Sequence, residues 1–69
     1  MDIVFSDHGE ERRRQRGFSD VEVRSIIEIH KSIKNRDDGL IEVIGVVKNR
    51  LIKVVYREEE SYIKIVSVM

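Results

Sequence analysis

The spacing of apolar residues changes once along this chain, and that change sets the fold class. Val23, Ile26, Ile27 and His30 follow the i, i+3, i+4, i+7 stripe of a helix with one buried face, and Ile29 borders it. From Ile33 onward the period is two, the alternation of strands. A helical part followed by a strand-rich part reads as α+β.

The residues between these signals delimit the elements. Ser19 and Glu22 make an S-x-x-E capping box, with Phe18 before the cap and Val23 at the spacing of a hydrophobic staple. Upstream, Ile3, Val4 and Phe5 form a short strand, and Ser6 or Asp7 caps a first helix. Glu10 and Glu11 lie early in that helix and the arginines late, which suits the helix dipole at both ends. Gly17 stands where a left-handed residue ends it. Downstream, Asp38-Gly39 is a hairpin turn. Strands are expected over Leu40 to Val47, Leu51 to Arg57 and Tyr62 to Met69. Lys48, Asn49 and Arg50 make one loop, and Glu58 to Ser61 another turn. The expected architecture is a short N-terminal strand, a two-helix hairpin and an antiparallel β-meander.

Alternation sorts the meander into two faces. One carries Ile41, Val43, Val47, Ile52, Val54, Tyr56, Ile63 and Ile65. The other carries Glu42, Lys53, Arg57 and Lys64, but also Ile44, Val46, Val55 and Val68. That is more aliphatic than a solvated face should be. The expectation is that the first helix or a second subunit, as in a homodimer, covers part of it.

A chain of 69 residues holds one domain, with little surface to bury and marginal stability. It has no cysteine, so neither disulfides nor thiolate metal sites assist. Two histidines and scattered carboxylates make no zinc pattern, and no cofactor or metal is expected. No run approaches the apolar length of a membrane span. The opening Met-Asp-Ile-Val-Phe-Ser-Asp is not read as a signal peptide, so a cytoplasmic location is expected. Lys+Arg and Asp+Glu both number 13, which excludes a uniformly basic nucleic-acid binder but not a local basic patch. Arg12, Arg13, Arg14 and Arg16 crowd one segment, and Glu58, Glu59 and Glu60 another. The glutamates read as a solvated turn. Abundant charge of both signs, with few Asn or Gln, points to a thermophilic source.

Residues 5–19 read F-S-D-H-G-E-E-R-R-R-Q-R-G-F-S. They resemble the signature F-S-x-H-A-x-x-R-M-x-x-R-G-[IV]-S of a small prokaryotic domain family of unknown function, grouped with the RelE/ParE toxins. His8, Arg12, Arg16, Gly17 and Ser19 match it in register. Leu51-Ile52-Lys53-Val54-Val55-Tyr56 resembles the family's L-x-V-V-Y strand, and residues 62–68 its closing strand. Gly9 departs from the signature's alanine and Arg13 from its methionine. Arginine at a core-facing position requires the helix to sit at the surface or to pack through an arginine stem. The resemblance implies a RelE/ParE-like fold. That superfamily holds ribosome-dependent messenger RNA nucleases, gyrase poisons and free ribonucleases.

His8, Arg12 and Arg16 are four residues apart and stack on one helix face. A histidine can shuttle a proton near neutral pH. Arginines stabilise charge developing on a phosphate. Together they are the candidate catalytic set for metal-independent RNA cleavage at a 2′-hydroxyl. The plainer reading has His8 in a structural hydrogen bond and the two arginines paired with Glu28 or Glu42. Arg13 and Arg14 extend a phosphate-attracting patch, or pair with Glu10 at helical spacing. By analogy with RelE-like nucleases, Lys53, Arg57 and Lys64 are sheet-borne nucleic-acid contacts; a solvated face explains them as well. Arg50, in a hairpin loop, is expected to be exposed and is a further candidate nucleic-acid contact. His30 and Tyr56 read as structural. The functional expectation is a toxin-like endoribonuclease domain of a toxin–antitoxin system, with an antitoxin protein and RNA or the ribosome as partners. The alternatives are a non-catalytic RNA- or protein-binding module and a structural member without activity.

Overall fold

The computed structural model describes residues 2–69. The elements run β1 (Asp2–Phe5), α1 (Asp7–Arg16), α2 (Asp20–Glu28), β2 (Ser32–Asn35), β3 (Ile41–Val47), β4 (Arg50–Glu58) and β5 (Tyr62–Val68). They form an α+β fold in which an N-terminal strand and two helices precede the antiparallel strands. The sheet has five strands in the order β1-β5-β4-β3-β2. The meander β2 to β5 is antiparallel, and β1 joins its far edge parallel to β5, with Phe5 beside Ile65.

Two polar caps set the helix starts. Ser6, not Asp7, is the N-cap of α1, and its hydroxyl accepts the Gly9 N–H at 2.9 Å. Ser19 and Glu22 close the capping box of α2 in both directions, at 3.1 Å and 2.7 Å. A cap of this kind contributes about 1 kcal/mol. Gly17 takes φ 79° and ends α1, its N–H donating to the carbonyls of Arg13 and Arg14. Helix α2 stops at Glu28, earlier than the apolar stripe extends. His30 lies beyond it, half-buried, with Nδ1 3.2 Å from the Ile26 carbonyl oxygen.

The β2–β3 turn forms at Asp38-Gly39 as expected. Gly39 has φ 87°, and the Asp38 carboxylate accepts the Leu40 N–H at 3.1 Å. The β3–β4 connection is tighter than the three-residue loop expected from sequence. Only Lys48 and Asn49 turn the chain, both left-handed at φ 54° and 62°, so Arg50 already belongs to β4. Consecutive positive φ values are the geometry that matches strand twist in a two-residue hairpin.

Both helices lie on one face of the sheet. Phe18, Val23 and Ile26 join Val43, Ile52, Val54, Tyr56, Ile65 and Val68 in a single buried cluster, with Ile3 and Phe5 at its margin. Fully burying an aliphatic side chain of this size contributes roughly 1.5–3 kcal/mol. Helix α1 packs mainly against β5 and α2 against β3 and β4. The expectation that α1 covers the second face is therefore corrected: it shares the first face with α2. Val68 is also corrected. Tyr56 pairs with Ile65 but Val55 with Ser67, so Val66 is an extra residue in β5. This bulge reverses the alternation beyond it and turns Val68 inward beside Val54.

Candidate nucleic-acid interface

Helix α1 carries one buried residue, Gly9, and otherwise presents charge. It is held by close approach rather than by an apolar stripe. A Cβ at Gly9 would overlap the Ile65 carbonyl oxygen, so glycine here lets the helix lie against the backbone of β5. Ser6 N–H donates to that same carbonyl at 2.9 Å and fixes the entry to the helix.

Arg13 is the second anchor. Its side chain is 18% exposed, forms an ion pair with Glu10 and donates to the Phe18 carbonyl at 2.8 Å. Its guanidinium lies 5.9 Å from the centre of the Phe5 ring. The Arg13 hydrogen bond holds the Glu10 carboxyl below its ordinary range, and the Arg14 charge adds to this. The same bond raises the Arg13 pKa. This arginine, a candidate phosphate contact from sequence, is committed to the fold through its stem and its head. Arg14 is far more open, its side chain 73% exposed, with Nε 3.3 Å from Glu10.

His8, Arg12 and Arg16 form the row that their spacing predicts. His8 and Arg16 are exposed and Arg12 is half-exposed. Arg12 Nε donates to His8 Nε2 at 3.4 Å, and its terminal nitrogen reaches Gln15 Oε1 at 3.5 Å. None of the three side chains makes an ion pair among the described residues. Glu28 and Glu42 are not their partners; Glu42 is shared by Arg36 at 3.4 Å and Lys53 at 3.5 Å.

Arg50 extends this side of the molecule. It donates to the Arg16 carbonyl at 3.1 Å and stacks over the Phe18 ring at 4.5 Å. Arg50 is exposed as expected, but the loop position is corrected: it is a strand-end residue that ties the hairpin to the end of α1. No local sequence signal points to this tie, which joins residues 34 apart. Next to it, Lys48 Nζ reaches Glu22 at 3.1 Å. The Glu22 carboxyl is held below its usual range, first by the Ser19 N–H and then by Lys48.

Lys53, Arg57 and Lys64 do share a face, since Arg57 pairs with Lys64 and Lys53 lies an even number of residues from Arg57 on β4. That face is the opposite one from the helices. The two sets of basic residues expected from sequence are therefore divided by the sheet. A single phosphate cannot meet both. Tyr56 is buried in the core, and burial raises its pKa, with Glu58 adding to the effect.

Among the described residues no group of three or more His, Asp or Glu side chains is placed to hold a metal ion. No described helix is long and apolar enough to cross a membrane. No family model matches the sequence, and neither a curated protein nor a solved structure matches it.

Proposed function

We propose that the chain is an RNA-acting, toxin-like module that grips the phosphate backbone with the row His8, Arg12 and Arg16. The supporting observation is the arrangement: one imidazole and two guanidinium groups stand in a row on one side of a helix, and neither Arg12 nor Arg16 has a carboxylate partner among the described residues, although Arg13 and Arg14 on the same helix do. Unpaired guanidinium groups at a surface are free to exchange counterions for phosphates, which is the main source of nucleic-acid affinity. The resemblance of residues 5–19 to a toxin-grouped family adds the biological setting, with an antitoxin protein as partner.

In the catalytic form of this proposal His8 takes the proton of a 2′-hydroxyl as that oxygen bonds to the phosphorus, Arg12 and Arg16 stabilise the phosphorane charge, and the P–O5′ bond breaks to leave a 2′,3′-cyclic phosphate and a 5′-oxygen that is protonated from water. No metal takes part. A second, non-catalytic reading is favoured by one observation: the row stands on the exposed side of α1. Two concavities among the described residues lie elsewhere, one of about 320 Å³ beside Asp2, Val4, Ser61, Tyr62 and Lys64 and one at the β2–β3 turn. A site open to water strengthens charge interactions less than an enclosed one.

Expression in a bacterium tests the proposal. The toxin reading predicts growth arrest and RNA cleavage, with or without ribosomes, both relieved in the His8→Ala, Arg16→Ala double variant. RNA binding without cleavage selects the second reading. A harmless chain that neither binds nor cleaves RNA contradicts both.

A further inference from the structure

The face of the sheet turned away from the helices is covered by no element. Strand register sets out its rows. At one end Val46 lies opposite Leu51; in the next row Ile44, Lys53 and Met69 stand side by side. Leu51 is 71% exposed, and Val46 and Met69 are exposed as well. Val55, one row further, is buried. At the other end Arg57 stands directly opposite Lys64, with Val4 beyond. Neither cation has an acidic partner among the described residues. Like charges opposite one another across strands destabilise a sheet. Of the carboxylates on or beside this face, Glu42 is already shared by two cations, Asp2 sits at the edge strand, and Glu59, beyond the end of β4, makes no ion pair with either cation among the described residues.

We propose that this open face docks an acidic, amphipathic peptide segment of another protein, and that docking leaves the helix-side row unoccupied. Aliphatic side chains on the segment cover Leu51, Val46 and Met69, and its carboxylates neutralise Arg57 and Lys64. Charge disfavours a second copy as the occupant. If two copies met face to face with the two-fold axis along the strands, each row would meet itself and the cationic rows would oppose. With the axis across the strands, the cationic end would meet the apolar end. In neither case does a carboxylate stand directly opposite Arg57 or Lys64. The sheet lies between this surface and His8, Arg12 and Arg16, so one segment occupies one side only. Peptide docking here is independent of the RNA reading and survives its failure.

The test uses the whole chain and a short fluorescent peptide alternating leucine and glutamate. Two controls exchange glutamate for lysine and leucine for serine. The expected result is salt-sensitive binding of the first peptide only, with backbone amide shifts on β3, β4 and β5 and none along α1. Arg57→Glu with Lys64→Glu, and separately Leu51→Ser, should each weaken binding by about tenfold, as for residues that carry an interface. All three positions are exposed, so circular dichroism should show an unchanged fold. Four outcomes overturn the proposal: equal binding of the lysine peptide, shifts centred on α1, variants that bind like wild type, or a chain that sediments as a dimer and excludes the peptide.

Discussion

The two helices cross the same sheet face but are attached to it by different physics. Helix α2 buries Val23 and Ile26, and its close approach is made through a side chain, Ile26 packing onto Gly45 of β3. Helix α1 buries only a glycine; it is held by a backbone approach to Ile65, by the Ser6 cap and by one arginine threaded between Glu10, Phe5 and the Phe18 carbonyl. The apolar helix gives its side chains to stability. The polar helix keeps a whole face free, which is where a ligand-contacting row can stand.

The difference breaks most visibly at Ile26. Ile26→Ala should cost about 2–5 kcal/mol in urea unfolding, the usual loss for a buried aliphatic side chain. A loss below about 1 kcal/mol would mean that α2 is not the main helical anchor. Gly9→Ala comes next, at about 1–3 kcal/mol, because the added methyl meets a carbonyl rather than a side chain that can move. Helix propensity alone predicts the opposite sign, a gain of about 0.5–1 kcal/mol, so the direction of the change decides between the two. Arg13→Ala should cost about 1–2 kcal/mol, and Arg13→Met less, since a methionine keeps the apolar stem over Phe5. Equal losses for the two variants would place the value of Arg13 in its charge.

Acid should act on both helix starts. The folded-state pKa values of Glu10 and Glu22 are lowered. Their contributions are therefore present above the unfolded carboxyl range and are lost as pH falls through the folded values. Glu22→Gln keeps the cap hydrogen bond without the charge and should flatten part of the acid limb of a stability–pH curve; an unchanged limb would show that the Glu22 charge does not stabilise the start of α2. The smallest stability effect is expected in the row itself: His8→Ala and Arg16→Ala should each shift stability by less than about 0.5 kcal/mol, as for exposed positions without partners.

Much of this contrast is legible in the sequence. The capping box, the Gly17 stop and the Asp38-Gly39 turn are local signals, and each appears where the spacing places it, whereas the apolar stripe is helical only as far as Glu28 and leaves His30 outside α2. The i, i+4 row of His8 and the two arginines is local too. Interactions that close across the sheet are not legible. The fit of Gly9 against Ile65, the stacking of Arg50 on Phe18 and the parallel pairing of β1 with β5 depend on residues distant in the chain. The Val66 bulge defeats strict alternation, because one inserted residue moves every later side chain to the other face. Arg13 reads as part of a surface patch because charge alone does not distinguish a solvated arginine from one whose stem is packed.

If the free face of α1 meets RNA and the far face of the sheet does not, the two sets of cations must differ in how they respond to salt. Single-stranded RNA binding, followed by fluorescence anisotropy over a range of salt concentrations, measures that difference. The slope of log affinity against log salt should fall by about 0.7 for each phosphate that is no longer neutralised. Arg12→Ala with Arg16→Ala should therefore reduce the slope by about 1.4, while Arg57→Ala with Lys64→Ala leaves it unchanged. The reverse pattern, with the slope set by the sheet pair and indifferent to the helix pair, would contradict an RNA-binding α1.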